Sequence, residues 1–208
     1  MLQILAHRGL WKSPEEKNSL AALALALRQG FGLETDVRDC AGELVISHDP
    51  PRAGALSLRS LLEEYKSLGA TGTLALNIKA DGLAQPLRLL LAEYGIPNYF
   101  VFDMSVPDTL GYARDEMPFF TRHSEFETVP ALLERSNGIW LDAFQSDWYN
   151  AAVIEGHLQG GKQVCVVSPE LHRRSKDNVW RLLRQVASPG PNVLCCTDFP
   201  EELREWMK

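Results

Sequence analysis

Strand-like apolar runs and helix-like runs alternate along this chain, and that regularity limits its fold more than any single motif does. Extended stretches rich in Val, Ile, Leu and Phe are expected over 3–7, 32–38, 73–79, 99–104, 118–121, 138–143, 162–168 and 192–197. Helices are expected over 19–29, 57–68, 83–94, 107–114, 129–135, 148–159, 177–187 and 200–207. Gly30, Gly69 and Gly95 follow the first three helical runs, where a left-handed residue ends a helix at low cost. One further extended piece, 44–47, interrupts the alternation. Regular strand–helix alternation implies parallel strands joined by right-handed crossovers. Eight such units point to an α/β fold of the (β/α)8 TIM-barrel type, with 1–208 as a single domain.

Functional side chains of such barrels gather where the strands end. The polar residues closing the expected strands are His7 and Arg8, Glu34 and Asp36, Asn77 and Lys79, Asp103, Arg122 and His123, Asp142, Ser168 and Glu170, and Thr197 with Asp198. Glu34 and Asp36 are spaced i, i+2, which aims both carboxylates to one face of a strand. Two adjacent anions facing one way call for a cation, and a pair of hard oxygen donors suits Mg2+ or Ca2+. His7 and His48 lie beside this pair in sequence and supply groups that titrate near neutral pH. The pattern reads as a metal-dependent phosphoryl or hydrolytic site.

The formal net charge is −6, which excludes nucleic acid as a bulk electrostatic partner. An anionic substrate must then be drawn in by local cations or by a metal. The start, Met1-Leu2-Gln3-Ile4-Leu5-Ala6, has no basic segment and enters a strand at once, unlike a signal peptide. No apolar run approaches the roughly 18 residues of a membrane span. Cys40, Cys165, Cys195 and Cys196 show neither metal-knuckle spacing nor disulfide density. These features lead to the expectation of a cytoplasmic protein without a stable membrane anchor.

Four segments carry a family resemblance: Ala6-His7-Arg8-Gly9, Glu34-Thr35-Asp36-Val37, Val45-Ile46-Ser47-His48-Asp49 and Thr197-Asp198-Phe199-Pro200. In order and placement they resemble the glycerophosphodiester phosphodiesterase family, among the phosphatidylinositol-phospholipase-C-like barrels. The resemblance implies a phosphoric diester hydrolase that takes a small-molecule phosphodiester and releases glycerol phosphate and an alcohol. It implies Glu34, Asp36 and the third-strand Asn77 as ligands of a divalent cation, Mg2+ or Ca2+. It implies Arg8 and Lys79 as phosphate contacts, His7 as base and His48 as acid; the residues alone do not order the two histidines.

The chain departs from the family pattern at three places. Lys17 in Ser13-Pro14-Glu15-Glu16-Lys17-Asn18-Ser19 stands where a glutamate is expected. Asn77-Ile78-Lys79 replaces Glu-x-Lys, so a neutral amide takes the place of the third carboxylate, and Glu170 offers a replacement from another rim position. Val167-Ser168-Pro169-Glu170 replaces the usual Trp-Thr pattern. Two alternatives follow: a phosphate-ester-binding barrel of weakened turnover, and a phospholipase-D-like lyase that forms a cyclic phosphate.

Several rim residues also have plain structural readings. Asp49, Asp103, Asp142 and Glu170 are equally suited to capping the helices after their strands, and capping is the expected role of Asp198. Packing is the default for Trp11, Trp140, Trp148 and Tyr149. His123, His157 and His172 have no partner spacing that singles them out.

Overall fold

A computed structural model describes residues 2–186 and 192–208. By the density of contacts along the chain these divide into one unit spanning Ala6–Phe119 and another formed by Phe120–Lys208 with the first residues through Leu5.

The first unit holds the end of β1 (Gln3–His7), then α1 (Leu20–Arg28), β2 (Gly32–Cys40), β3 (Glu43–Ile46), β4 (Leu56–Ser57), α2 (Leu58–Ser67), β5 (Leu74–Ile78), α3 (Ala84–Tyr94), β6 (Tyr99–Phe102) and α4 (Val106–Arg114). Strand β2 pairs in parallel with β5, in a register that sets Asp36 opposite Asn77, and β5 pairs in parallel with β6. The outer half of β2 instead pairs antiparallel with β3, and β3 with β4. Ala41 and Gly42 cause this departure from an all-parallel pattern. Both have positive φ (52° and 85°), the mirror-image turn that joins antiparallel strands in two residues. The hairpin carries Ser47-His48-Asp49 back beside β2: the Ser47 N–H donates to the Asp36 carbonyl at 3.1 Å.

Ser19, Ser57 and Ser105 cap α1, α2 and α4, accepting from Ala22 N–H (3.2 Å), Ser60 N–H (3.1 Å) and Asp108 N–H (3.3 Å). Each cap is worth about 1 kcal/mol. Helix α3 stops where Gly95 takes the left-handed conformation at φ 58°. Leu23, Leu27, Leu61, Leu62, Leu87 and Leu91 bury the inner faces of the first three helices, each contributing about 1.5–3 kcal/mol of apolar transfer.

The second unit contains β7 (Phe120–His123), β8 (Gly138–Leu141), α5 (Ala151–Gln159), β9 (Gln163–Val167), α6 (Asp177–Val186), β10 (Val193–Thr197) and α7 (Pro200–Trp206). Its strand pairs β7–β8, β8–β9 and β9–β10 are parallel. Its core gathers Ile139, Leu141, Ile154, Val164, Val166, Trp180, Leu183, Cys195 and Leu203. The four cysteines are free thiols, three of them buried, and pack as small apolar residues.

Set against the expected elements, β7 lies two residues later than 118–121, and the helix expected over 129–135 is only a 3-10 turn, Leu133–Arg135. The left-handed Leu132 (φ 55°) interrupts the helical backbone in the middle of that segment. Helix α5 begins at Ala151, not at Trp148, because Asn150 caps it while the Trp148 indole turns back to donate to the Asp142 carbonyl at 2.7 Å. Helix α7 carries no side-chain cap from Asp198: its N-cap position is Phe199. Ala187, placed at the end of the expected sixth helix, lies outside the described residues. Among the described residues no helix is long and apolar enough to cross a membrane.

Candidate active site

The loop after β1 is folded back tightly. Gly9 takes φ 93°, and a Cβ at that position would meet the Ala22 carbonyl carbon at 2.6 Å, so only glycine lets the loop pass α1 this closely. The Arg8 N–H donates to the Glu34 carbonyl at 2.9 Å, and the Asn18 N–H returns to the Arg8 carbonyl at 3.0 Å. Arg8, Asn18 and Asp103 are non-glycine residues with positive φ (59°, 62° and 71°). Each such backbone costs about 1–3 kcal/mol, and such strain gathers where geometry serves a site.

At the centre lie three polar residues that water barely reaches: Glu34 (1% exposed), Asp36 (0%) and Asn77 (7%). The strand spacing and the β2–β5 register bring them together, and the Asn77 Nδ2 amide donates to Glu34 Oε1 at 3.2 Å. Cationic side chains surround them. Arg8 Nε is 2.8 Å from Asp36 Oδ2, an ion pair whose N–H is not aligned as a hydrogen bond. Lys79 Nζ lies 3.7 Å from Asp36 Oδ1 and 3.4 Å from Asp103 Oδ2. His7 Nε2 is 3.7 Å from Glu34 Oε2. The pairing of Arg8 and Lys79 with Asp36 is the structural arrangement that buried carboxylates require. It leaves both cations partly exposed, with side chains about one-fifth accessible.

Burial pushes the Glu34 carboxyl above its ordinary value of 4.5 and outweighs the opposing pull of His7; Asp36 raises it further, while Arg8 and the Asn77 amide lower it. A carboxyl so placed resists carrying its charge until a cation compensates it.

One oxygen on each of the three residues expected to bind metal has no hydrogen-bond partner: Glu34 Oε2, Asp36 Oδ1 and Asn77 Oδ1. Buried oxygens are normally satisfied, and an unsatisfied one costs about 1–3 kcal/mol. Three from adjacent strand positions, hard donors with two formal charges between them, fit a divalent cation such as Mg2+ or Ca2+. The set is two carboxylates and a carboxamide. Among the described residues no group of three or more His, Cys, Asp or Glu side chains is gathered for a metal.

His48 is placed differently. Its ring is half exposed, with Nδ1 2.9 Å from Asp49 Oδ1, while its carbonyl accepts from Arg38 Nε at 3.0 Å. Glu170, the alternative third carboxylate, belongs to the second unit and is already engaged. It accepts from the Ser168 and Thr197 hydroxyls and from the Asp198 N–H.

Two further residues join this cluster: Asn18, read in the sequence only as part of a motif, and Trp11, read as a packing residue or a candidate cleft lining. Asn18 Nδ2 donates to Asp36 Oδ2 at 2.9 Å, while its Oδ1 accepts from Thr35 Oγ1 at 2.8 Å. Trp11 Nε1 donates to the His7 carbonyl at 3.1 Å. The Asn18-Ser19 pair reads in the sequence as a helix start, which conceals the partner 18 residues away. The second unit holds its own buried acid, Asp142. His172 Nε2 lies 2.6 Å from its Oδ1, and Arg122 Nη1 lies 3.7 Å from its Oδ2.

No family model matches the chain, and no curated protein matches it in sequence. Solved structures do match. A glycerophosphodiester phosphodiesterase from Agrobacterium tumefaciens superposes with a TM-score of 0.70 at 18% identity, covering 99% of this chain and 100% of that one. A phosphodiesterase from Oleispira antarctica, solved in complex with the product sn-glycerol-3-phosphate, gives 0.71 at 17% identity, with 99% and 96% covered. A Ca2+-dependent phosphatidylinositol-specific phospholipase C from Streptomyces antibioticus gives 0.59 at 11% identity, with 100% and 98% covered. The chain therefore has the (β/α)8-barrel fold of the glycerophosphodiester phosphodiesterases.

Proposed function

We propose that the protein is a metal-dependent phosphodiester hydrolase that cleaves small glycerophosphodiesters to glycerol phosphate and an alcohol. The observation that carries this reading is the trio of buried, unsatisfied oxygens on Glu34, Asp36 and Asn77, ringed by His7, Arg8 and Lys79. The shared fold and the sn-glycerol-3-phosphate held by one structural relative support it.

Glu34, Asp36 and Asn77 hold a divalent cation, which when bound polarises the phosphoryl oxygens and offsets charge that develops on them. Arg8 and Lys79 orient the phosphate with the N–H groups they do not spend on Asp36. His7 accepts the proton of the attacking water or hydroxyl; the Glu34 carboxylate faces its ring and stabilises the imidazolium that results. Trp11 holds the His7 backbone in place. His48 protonates the departing alkoxide, with Asp49 steadying Nδ1 and leaving Nε2 for the substrate.

Phosphorus NMR on a panel of glycerophosphodiesters, with Mg2+, Ca2+ and Mn2+ each supplied, tests this reading. Glycerol phosphate should accumulate, and His7→Ala should slow it on the order of a hundredfold or more. A folded protein that turns over none of the panel with any of the metals overturns the proposal. A cyclic phosphate product would identify a lyase instead.

A further inference from the structure

We propose that Arg38 reads the alcohol that leaves this site, selecting phosphodiesters whose departing alcohol carries an anionic group of its own, a carboxylate or a phosphate. The inference deepens the hydrolase reading above and rests on it, including His48 as the group that protonates the leaving alkoxide.

Arg38 shares a strand face with the carboxylates of the cation site. Glu34, Asp36 and Arg38 alternate along β2, so their side chains leave the strand on one side, whereas Thr35, Val37 and Asp39 leave it on the other. Two residues advance a strand by about 7 Å. That step sets Arg38 beyond Asp36 toward the strand end, by the span of a three-carbon alcohol. The side chain is held there. Its Nε donates to the His48 carbonyl at 3.0 Å, and the residue is half-buried. The guanidinium is thus anchored on the residue whose imidazole, steadied by Asp49 at Nδ1, meets the departing oxygen.

The charge of that guanidinium is not spent inside the protein. Among the described residues Arg38 forms no ion pair, and the group it does bind, the His48 carbonyl, is neutral. The nearby acids are turned elsewhere: Asp36 to Arg8 and Lys79, Asp49 to the His48 ring, and Asp39 to the opposite face of β2. With Nε committed, both Nη groups remain, and their N–H bonds form a fork that takes a carboxylate or a phosphate in two parallel hydrogen bonds. Arg8 and Lys79 stand on Asp36 and serve the phosphate under attack. Arg38, farther along β2, supplies a third cation on the side of the alcohol. An uncharged alcohol leaves it to water, an ammonium meets it as a like charge, and an anion pairs with it.

The test compares glycerophosphoglycerol, whose departing glycerol is uncharged, with two charged relatives: the glycerate ester, in which a carboxylate replaces the terminal hydroxymethyl, and the ester phosphorylated on that glycerol. Wild type should favour the charged esters on the order of tenfold in kcat/KM, and the better of the two names the anion. Arg38→Gln is the discriminating variant. Its amide nitrogen stands where Nε stood and keeps a donor for the His48 carbonyl, while the charge and the fork are gone. The charged-to-uncharged ratio should then fall to about one. Binding is read apart from turnover by calorimetric titration of the His7→Ala protein with the three esters in excess Ca2+. The charged esters should bind on the order of tenfold tighter, and Arg38→Gln in the same background should remove the difference. If no ester is cleaved, the hydrolase reading fails while the titration still decides whether Arg38 selects an anion. Equal use and equal binding of charged and uncharged esters by proteins that keep Arg38, or a preference that survives Arg38→Gln, overturns the inference.

Discussion

Replacing Asn77 by aspartate changes almost no volume and puts a carboxylate oxygen where an amide N–H now donates to Glu34 Oε1 at 3.2 Å. At that separation and an effective dielectric constant of about 20, two unit charges repel by about 5 kcal/mol. The pair escapes part of that cost by sharing a proton. The lost hydrogen bond to a charged acceptor adds about 1.5–3 kcal/mol. The metal-free variant should therefore be less stable than wild type by about 3–5 kcal/mol near pH 8. For a chain of this size each kcal/mol lowers the melting temperature by about 2–4 °C, a fall of about 6–20 °C in chelator. In excess Ca2+ or Mg2+ the order changes: a third carboxylate completes an all-anionic cradle, binds the ion about tenfold tighter or better, and recovers most of the loss. Thermal melts of both proteins, in chelator and in excess metal, with calorimetric ion titrations, provide the assay. Equal melting temperatures in chelator would refute the reasoning, because Asn77 would then not stand against Glu34 as the register places it.

Glu34 gives a pH signature in the metal-free protein. Its folded carboxyl titrates above 4.5, so the folded state holds that proton where the unfolded chain has released it. The contribution is complete below about pH 4.5 and is lost as pH rises through the folded value. Urea midpoints against pH should show the difference between wild type and Glu34→Gln falling as pH rises, and a difference independent of pH would contradict the placement. In the second unit, His123 Nδ1 and His157 Nε2 lie 2.9 Å apart, and burial lowers both below 6.5. The unfolded chain takes up protons there before the folded one does, so stability should decline as pH falls below about 6.5. His157→Gln should remove part of that decline; a variant with the wild-type slope would show that the pair does not titrate with folding.

The local features of this chain are readable from its residues because their causes are local. Apolar periodicity marks the strands and seven of the eight expected helices, and serines before α1, α2 and α4 mark helix starts. The spacing of Glu34 and Asp36 forces both onto one face, whatever surrounds the strand. The segment 129–135 misleads for the same kind of reason, since apolar content there suggests a helix while the left-handed Leu132 breaks it. What the tertiary structure decides depends on partners distant in the chain. The β2–β5 register sets Asn77 against Asp36, and the loop strained at Arg8 and Gly9 lays Asn18 on a carboxylate 18 residues away. Glu170 accepts from the hydroxyls of Ser168 and Thr197, the latter a partner 27 residues away in the chain. Lys17 reads in the sequence as a departure from a motif, and only the folded loop sets its ammonium over Trp11. Sequence patterning specifies which face a side chain occupies, whereas burial and through-space charge exist only once strands from separate parts of the chain are packed together.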